Sequence, residues 1–256
     1  MSVVETNVEL KTIKVLLFGA EASTLEAEVR RYANLEIVPD SPDVVMSYGG
    51  DGTLLAAEWH WPGIPKVPIL NSRRGHRCIP SPPGQVIHAL AEGHLLSNQY
   101  TKIQGVIHCA DCGPVSKPLV ALNEFGVHMG RINSAVRFKL WINGDAYEDG
   151  VEILGDGFVV CTPFGSTAYY KHLTRGIFTQ GIGIAFKSTS EHVDHLVLPE
   201  EVTMRVQITR GPAVLGYDSC GEFYTLEQGD DLEVRKHSES ATILTCSPLK
   251  RLDEPF

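Results

Sequence analysis

Two rhythms of apolar residues divide the chain. In its first third, short aliphatic runs alternate with stretches whose apolar positions recur every three to four residues. IKVLLFG, residues 13–19, reads as a buried strand ended by glycine, and STLEAEVRRY places Leu25, Val29 and Tyr32 on one helical face behind a Ser or Thr cap. DVVMS, residues 43–47, is a second strand, with GGDGT at 49–53 almost directly behind it. TLLAAEWH then opens a helix, KVPIL is a further strand, and GQVIHALAEGHLL carries helical spacing. This succession predicts an α/β layer on a parallel sheet. It puts the glycine loop at the carboxyl end of a strand, where open α/β sheets hold ligands.

Beyond about residue 96 the rhythm shortens. YTKIQGVIHC, KPLVALN, AVRFKLWING, GFVVC, VTMRVQITR and DLEVRK are rich in branched and aromatic residues with near alternation, and NGD and EQGDD mark turns among them. One interruption, GSTAYYKHLTR, reads as a short helix capped by Ser166 or Thr167. The expected organisation is an α/β domain over 1–95 carrying the GGDGT loop, a β-rich domain over 96–235, and a C-terminal segment, 236–256, able to pack back on the first domain.

Composition narrows the function. At 256 residues with 43% hydrophobic positions the chain can bury a sizeable core. A formal net charge of -9 argues against nucleic acid or an anionic membrane as partners, so small anions need a local cationic site. No apolar run approaches the roughly 20 residues of a membrane span, and MSVVETNVEL lacks the basic and apolar regions of a signal peptide, so a cytoplasmic protein is expected. Six scattered cysteines in a chain of this size suggest reduced thiols rather than a disulfide framework.

Neither G-x-x-x-x-G-K-[ST] nor a well-placed G-x-G-x-x-G is present, which argues against a P-loop enzyme and an ordinary dinucleotide-binding domain. GGDGT alone also fits a tight turn. Its acid, Asp51, would repel a phosphate held by the glycines and must serve another purpose. Further signals are LNEFGVH at 122–128, GDGFVVCTPFGSTAY at 155–169 and LVLP at 196–199. In this order the four segments resemble the NAD kinase family, over roughly residues 43 to 235, and TP-x-GSTAY is the most specific of them.

The resemblance implies a two-domain fold of the NAD kinase and diacylglycerol kinase-like kind. It also implies transfer of the γ-phosphoryl of ATP, or of another donor such as polyphosphate, to the 2′-hydroxyl of the adenosine ribose of NAD. Asp51 matches the family's catalytic aspartate, a carboxylate that orients or deprotonates the hydroxyl. Gly49, Gly50, Gly52 and Thr53 would hold the donor phosphates by backbone N–H groups, with Mg2+ carried by those phosphates rather than by a protein cage. Asn123 and Glu124 match the Asn-Glu pair that meets the NAD adenosine and ribose, accepting from its hydroxyls. Asp156 resembles the residue that reads adenine or ribose edges, and Thr162, Ser166, Thr167, Ala168 and Tyr169 would complete the pocket. A homodimer or homotetramer is implied by resemblance only.

Three stretches depart from the family pattern. LNSRRGHRCIP keeps Asn71 but clusters Arg73, Arg74, His76 and Arg77; LTRGIF puts Arg175 where a small residue is usual; and a late turn reads Asp218-Ser219-Cys220. Asn71, Arg73, Arg74 and Asp218 are carried as nucleotide-binding positions, the arginines as a donor-phosphate site or else a solvated loop. Two other functions stay open: a lipid kinase of the diacylglycerol and sphingosine kinase-like class, and a catalytically weak NAD(P)-binding sensor. Cys109-Ala-Asp-Cys112 has metal-ligand spacing but no second pair, and no resident metal is expected.

Overall fold

The computed structural model describes residues 12–73, 75–110, 113–114, 117–189 and 191–246. The described chain forms two compact units, one drawn from residues 12–57, 64–98 and 242–246, the other from 58–63 and 99–241.

The first unit is built on a six-stranded sheet in the order Leu35–Ile37, Ile13–Phe18, Val44–Gly49, Lys66–Leu70, Ala241–Thr245, Leu96–Tyr100. The first five strands in that order run parallel. Val15, Val44, Met46, Val67 and Ile69 pack with Val86, Ile87 and Leu90 of the helix Pro83–Ala91 into one core. The helix read from STLEAEVRRY is shorter than its spacing predicts: a 3-10 turn, Ala22–Leu25, runs into a single α turn, Glu26–Val29. Its expected hydroxyl cap is absent. Glu21 holds the cap position, and the Thr24 hydroxyl donates back to the Glu21 carbonyl at 2.7 Å.

The second unit is a sandwich of two antiparallel sheets. One includes Ile103–Cys109, Val136–Ile142, Thr203–Arg210 and Asp231–Lys236; the other includes Glu124–Met129, Gly157–Cys161, Ile182–Lys187 and Ala213–Tyr217. Alternation sets the inward faces. Met204, Val206 and Ile208 meet Phe125, Phe138, Phe158, Ile184 and Leu215 in a common core. GFVVC and GIGIAF are apolar without alternation because both their faces are covered. Val159, Cys161 and Ala185 point away from the sandwich core and pack with Tyr170 of the helix Tyr169–Thr174.

That helix also departs from the sequence expectation. A 3-10 turn, Gly165–Thr167, precedes it, Ala168 holds the cap position, and neither Ser166 nor Thr167 caps it. Their hydroxyls are turned to carbonyls of the preceding loop instead. Arg175 closes the helix in the left-handed region at φ 60°. Cys78, Cys161, Cys220 and Cys246 are free thiols, whereas Cys109 is disulfide-bonded, against the expectation of reduced cysteines. Asp111 and Cys112 of the CxxC segment lie outside the described residues.

Candidate active site

In the first unit the strand Val44–Gly49 passes through Gly50 into the helix Asp51–His60. A Cβ at Gly49 would stand 2.2 Å from Thr53 Oγ1, so only glycine lets the first helical turn fold over the strand end. Asp51 is the first residue of the helix, where the helix dipole favours a negative charge. The neighbouring parallel strand ends level with it: Leu70 pairs with Gly49, and the Asn71 N–H donates to the Gly49 carbonyl at 2.7 Å.

The segment behind that strand loops over the carboxylate of Asp51. Leu70 N–H donates to Ile79 and Ile79 N–H to Pro68, at 3.0 and 2.7 Å, which closes the loop at its base. The His76 N–H donates to Asp51 Oδ2 at 2.9 Å and the Arg77 N–H to Oδ1 at 2.9 Å, while the Cys78 thiol lies 3.7 Å from Oδ1 as a third donor. Asn71 Nδ2 donates to Glu21 Oε2 at 2.8 Å, Arg73 is exposed, and Arg74 lies outside the described residues. Sequence reading identified Asp51 but not the donors that hold it, because they come from the next loop, 25 to 27 residues away.

In the second unit the Asn-Glu pair is held by Asp218. The Asp218 carboxylate accepts backbone N–H groups from Leu122, Asn123 and Glu124 at 2.7, 2.7 and 3.1 Å. Burial pushes Asp218 up to about 6, against those three bonds. Burial, and then the charge of Asp218, holds the Glu124 carboxyl up at about 8. Near neutral pH Glu124 is therefore a neutral acid with an O–H to donate, not only the acceptor that its residue type suggests. Its Oε2 is buried with no hydrogen-bond partner among the described residues.

The TPFGSTAY loop packs on the same pair. Thr162 N–H donates to the Asn123 carbonyl at 2.9 Å, and the Thr162 hydroxyl donates to the Leu122 carbonyl at 2.5 Å while accepting from Gly165 N–H at 3.1 Å. A Cβ at Gly165 would stand 2.3 Å from the Asn123 carbonyl oxygen, a contact that backbone cannot relieve. Ser166 is fully buried, with its hydroxyl 2.8 Å from the Pro163 carbonyl and 3.1 Å from that of Phe178. The loop thus delivers Thr167, Ala168 and Tyr169 at half-buried positions. Tyr169 stacks on His128 at 5.9 Å, and the Lys187 ammonium lies 5.2 Å from the Tyr169 ring centre.

Lys187 was invisible in the sequence. It is a buried lysine whose Nζ donates to the Val127 carbonyl at 2.6 Å; burial lowers it to about 7, with the half-buried Asp156 working the other way. Its only sequence signal is a charge at the end of an otherwise apolar run, IGIAFK.

The chain is 31% identical over 163 residues to NAD kinase 1 of Halalkalibacterium halodurans, an alignment covering 59% of this chain and 58% of that relative. In sequence the chain resembles the NAD kinases. It spans about three-fifths of the length of the first curated relatives it matches. No protein-family model matches it. Two solved members of the family share its fold, α/β plus β-rich. Yeast NADH kinase complexed with NADH superposes with a TM-score of 0.74 at 17% identity, covering 84% of this chain and 67% of that one. The NAD kinase of Archaeoglobus fulgidus in complex with ATP gives a TM-score of 0.70 at 18% identity, covering 91% and 92%. Of the family's segments in this chain, GGDGT forms the Asp51 turn, and the Asn-Glu and TP-x-GSTAY segments pack on one another through Asn123 and Gly165.

Proposed function

We propose that the protein is an NAD kinase, transferring the γ-phosphoryl of ATP to the 2′-hydroxyl of the adenosine ribose of NAD. The observation that carries this reading is the setting of Asp51, a carboxylate at the start of a helix behind a glycine turn, fixed by the amides of His76 and Arg77. Phosphoryl transfer relies on positioning and electrostatics, and these residues supply both. The backbone N–H groups of Gly50 and Gly52 favour donor phosphates, which would bring Mg2+ with them, and Arg73 and Arg74 add charge-assisted contacts, whereas the Thr53 N–H is taken by the Gly50 carbonyl at 2.9 Å. Asp51 orients the hydroxyl and takes its proton as the 2′-oxygen bonds to the γ-phosphorus and ADP leaves.

In the same reading Asn123, Glu124, Asp156, Thr167, Ala168 and Tyr169 bind NAD, while Thr162, Ser166 and Asp218 hold those residues in place. Self-association into dimers or tetramers belongs to this reading through the family resemblance alone, and a cytoplasmic setting accompanies it. The test is incubation of the purified protein with NAD, ATP and magnesium, followed by an NADP-specific glucose-6-phosphate dehydrogenase readout. NADP formed in proportion to enzyme supports the proposal. NAD or NADP binding without turnover would make the protein a sensor instead.

A further inference from the structure

The donors around Asp51 are unequally divided between its two oxygens. An ionised carboxylate offers about four lone-pair positions. Among the described residues Oδ1 receives two donors, the Arg77 N–H at 2.9 Å and the Cys78 S–H at 3.7 Å; Oδ2 receives one, the His76 N–H at 2.9 Å. The position left over is on Oδ2. We propose that Cys78 is a positioning residue: its thiol completes the occupation of Oδ1, so that Oδ2 is the oxygen Asp51 presents to the acceptor hydroxyl.

The chemistry of the thiol suits the task. Cys78 is buried, and burial together with the adjacent Asp51 charge pushes it up to about 12, so it keeps its proton and remains a donor throughout the physiological range. A thiolate there would repel the carboxylate. Packing alone would be met by any small apolar residue; an S–H aimed at a carboxylate oxygen would not. The inference extends the one departure from the family pattern closest to Asp51, the RCIP end of LNSRRGHRCIP, and it rests on Asp51 being the group that handles the hydroxyl.

The test has a spectroscopic arm and a kinetic arm. The S–H stretching band of Cys78 is identified in the ligand-free protein by its loss in Cys78→Ser. It is expected below the frequency of a free thiol, and should move upward in Asp51→Asn, whose neutral amide is the weaker acceptor. This comparison needs no turnover, so it decides the Cys78–Asp51 bond even if the proposed activity fails. A band at the free-thiol position, unmoved by Asp51→Asn, overturns the inference. In the kinetic arm Cys78→Ala should lower kcat roughly 3- to 10-fold, the scale of a weak donor on a charged acceptor, with the Michaelis constants for NAD and ATP held within about twofold. Cys78→Ser, which restores a donor, should recover most of that loss. Equal losses in Cys78→Ala and Cys78→Ser, or a rise in both Michaelis constants with kcat unchanged, would leave Cys78 as packing only.

Discussion

At the scale of single residues, neighbouring carboxyls take different charges because their surroundings differ. Asp218 is ionised near neutrality, while Glu124, buried and beside that charge, keeps its proton up to about pH 8. The sign for stability follows from the raised value. Below the ordinary value of 4.5 the folded and unfolded chains both hold the Glu124 proton; between 4.5 and about 8 only the folded chain keeps it. The contribution of Glu124 is thus fully present below 4.5 and lost as pH rises through 8. Glu124→Gln, which cannot ionise, should lose less Tm than the parent between about pH 5 and 8.5, by at least about 2 to 4 °C, the shift that roughly 1 kcal/mol gives in a chain of this size. Parallel melting curves across that range would contradict the assignment. Asp51, Asn123 and Glu124 stood out as candidates because each sits in a dense motif. Cys78 and Lys187 did not, since their roles arise from partners 27 and 60 residues away, to which no local pattern points.

At the scale of elements, the chain's strands were easier to read than its helix ends. Strand alternation reports directly on a buried face, and the burial of Thr203–Arg210 follows it residue by residue. Hydroxyl caps failed twice for one reason: a Ser or Thr near a helix start can donate to a carbonyl of the preceding turn, as Thr24, Ser166 and Thr167 do, rather than accept an N–H. The GSTAY segment is then best understood as a brace for the Asn-Glu pair. Gly165→Ala tests this, because its Cβ would collide with the Asn123 backbone rather than with a side chain able to move. A loss of about 1 to 3 kcal/mol in denaturant unfolding is expected, the usual penalty of overpacking, together with weaker NAD binding by calorimetry. Wild-type stability and affinity in this variant would mean that the loop does not hold Asn123.

At the scale of the whole molecule, an α/β layer followed by a β-rich portion was legible from the change in apolar rhythm, and the shared fold with solved NAD(H) kinases agrees with it. The return of the C-terminal segment was expected only in outline; its strand Ala241–Thr245, beside Lys66–Leu70, is not marked as a member of the first sheet by ATILT, which alternates like the strands of the sandwich, because parallel pairing across so long a separation leaves no local mark. At a net charge of -9 the chain would have to gather its cations locally to hold a triphosphate. The central claim, that this chain makes NADP with Asp51 acting on the acceptor hydroxyl, is tested most directly by Asp51→Asn measured for both turnover and NAD binding. A fall in kcat of roughly 100- to 10,000-fold, with the dissociation constant for NAD within about twofold of wild type, is the predicted result. Turnover left intact, or lost only in proportion to NAD affinity, would contradict it.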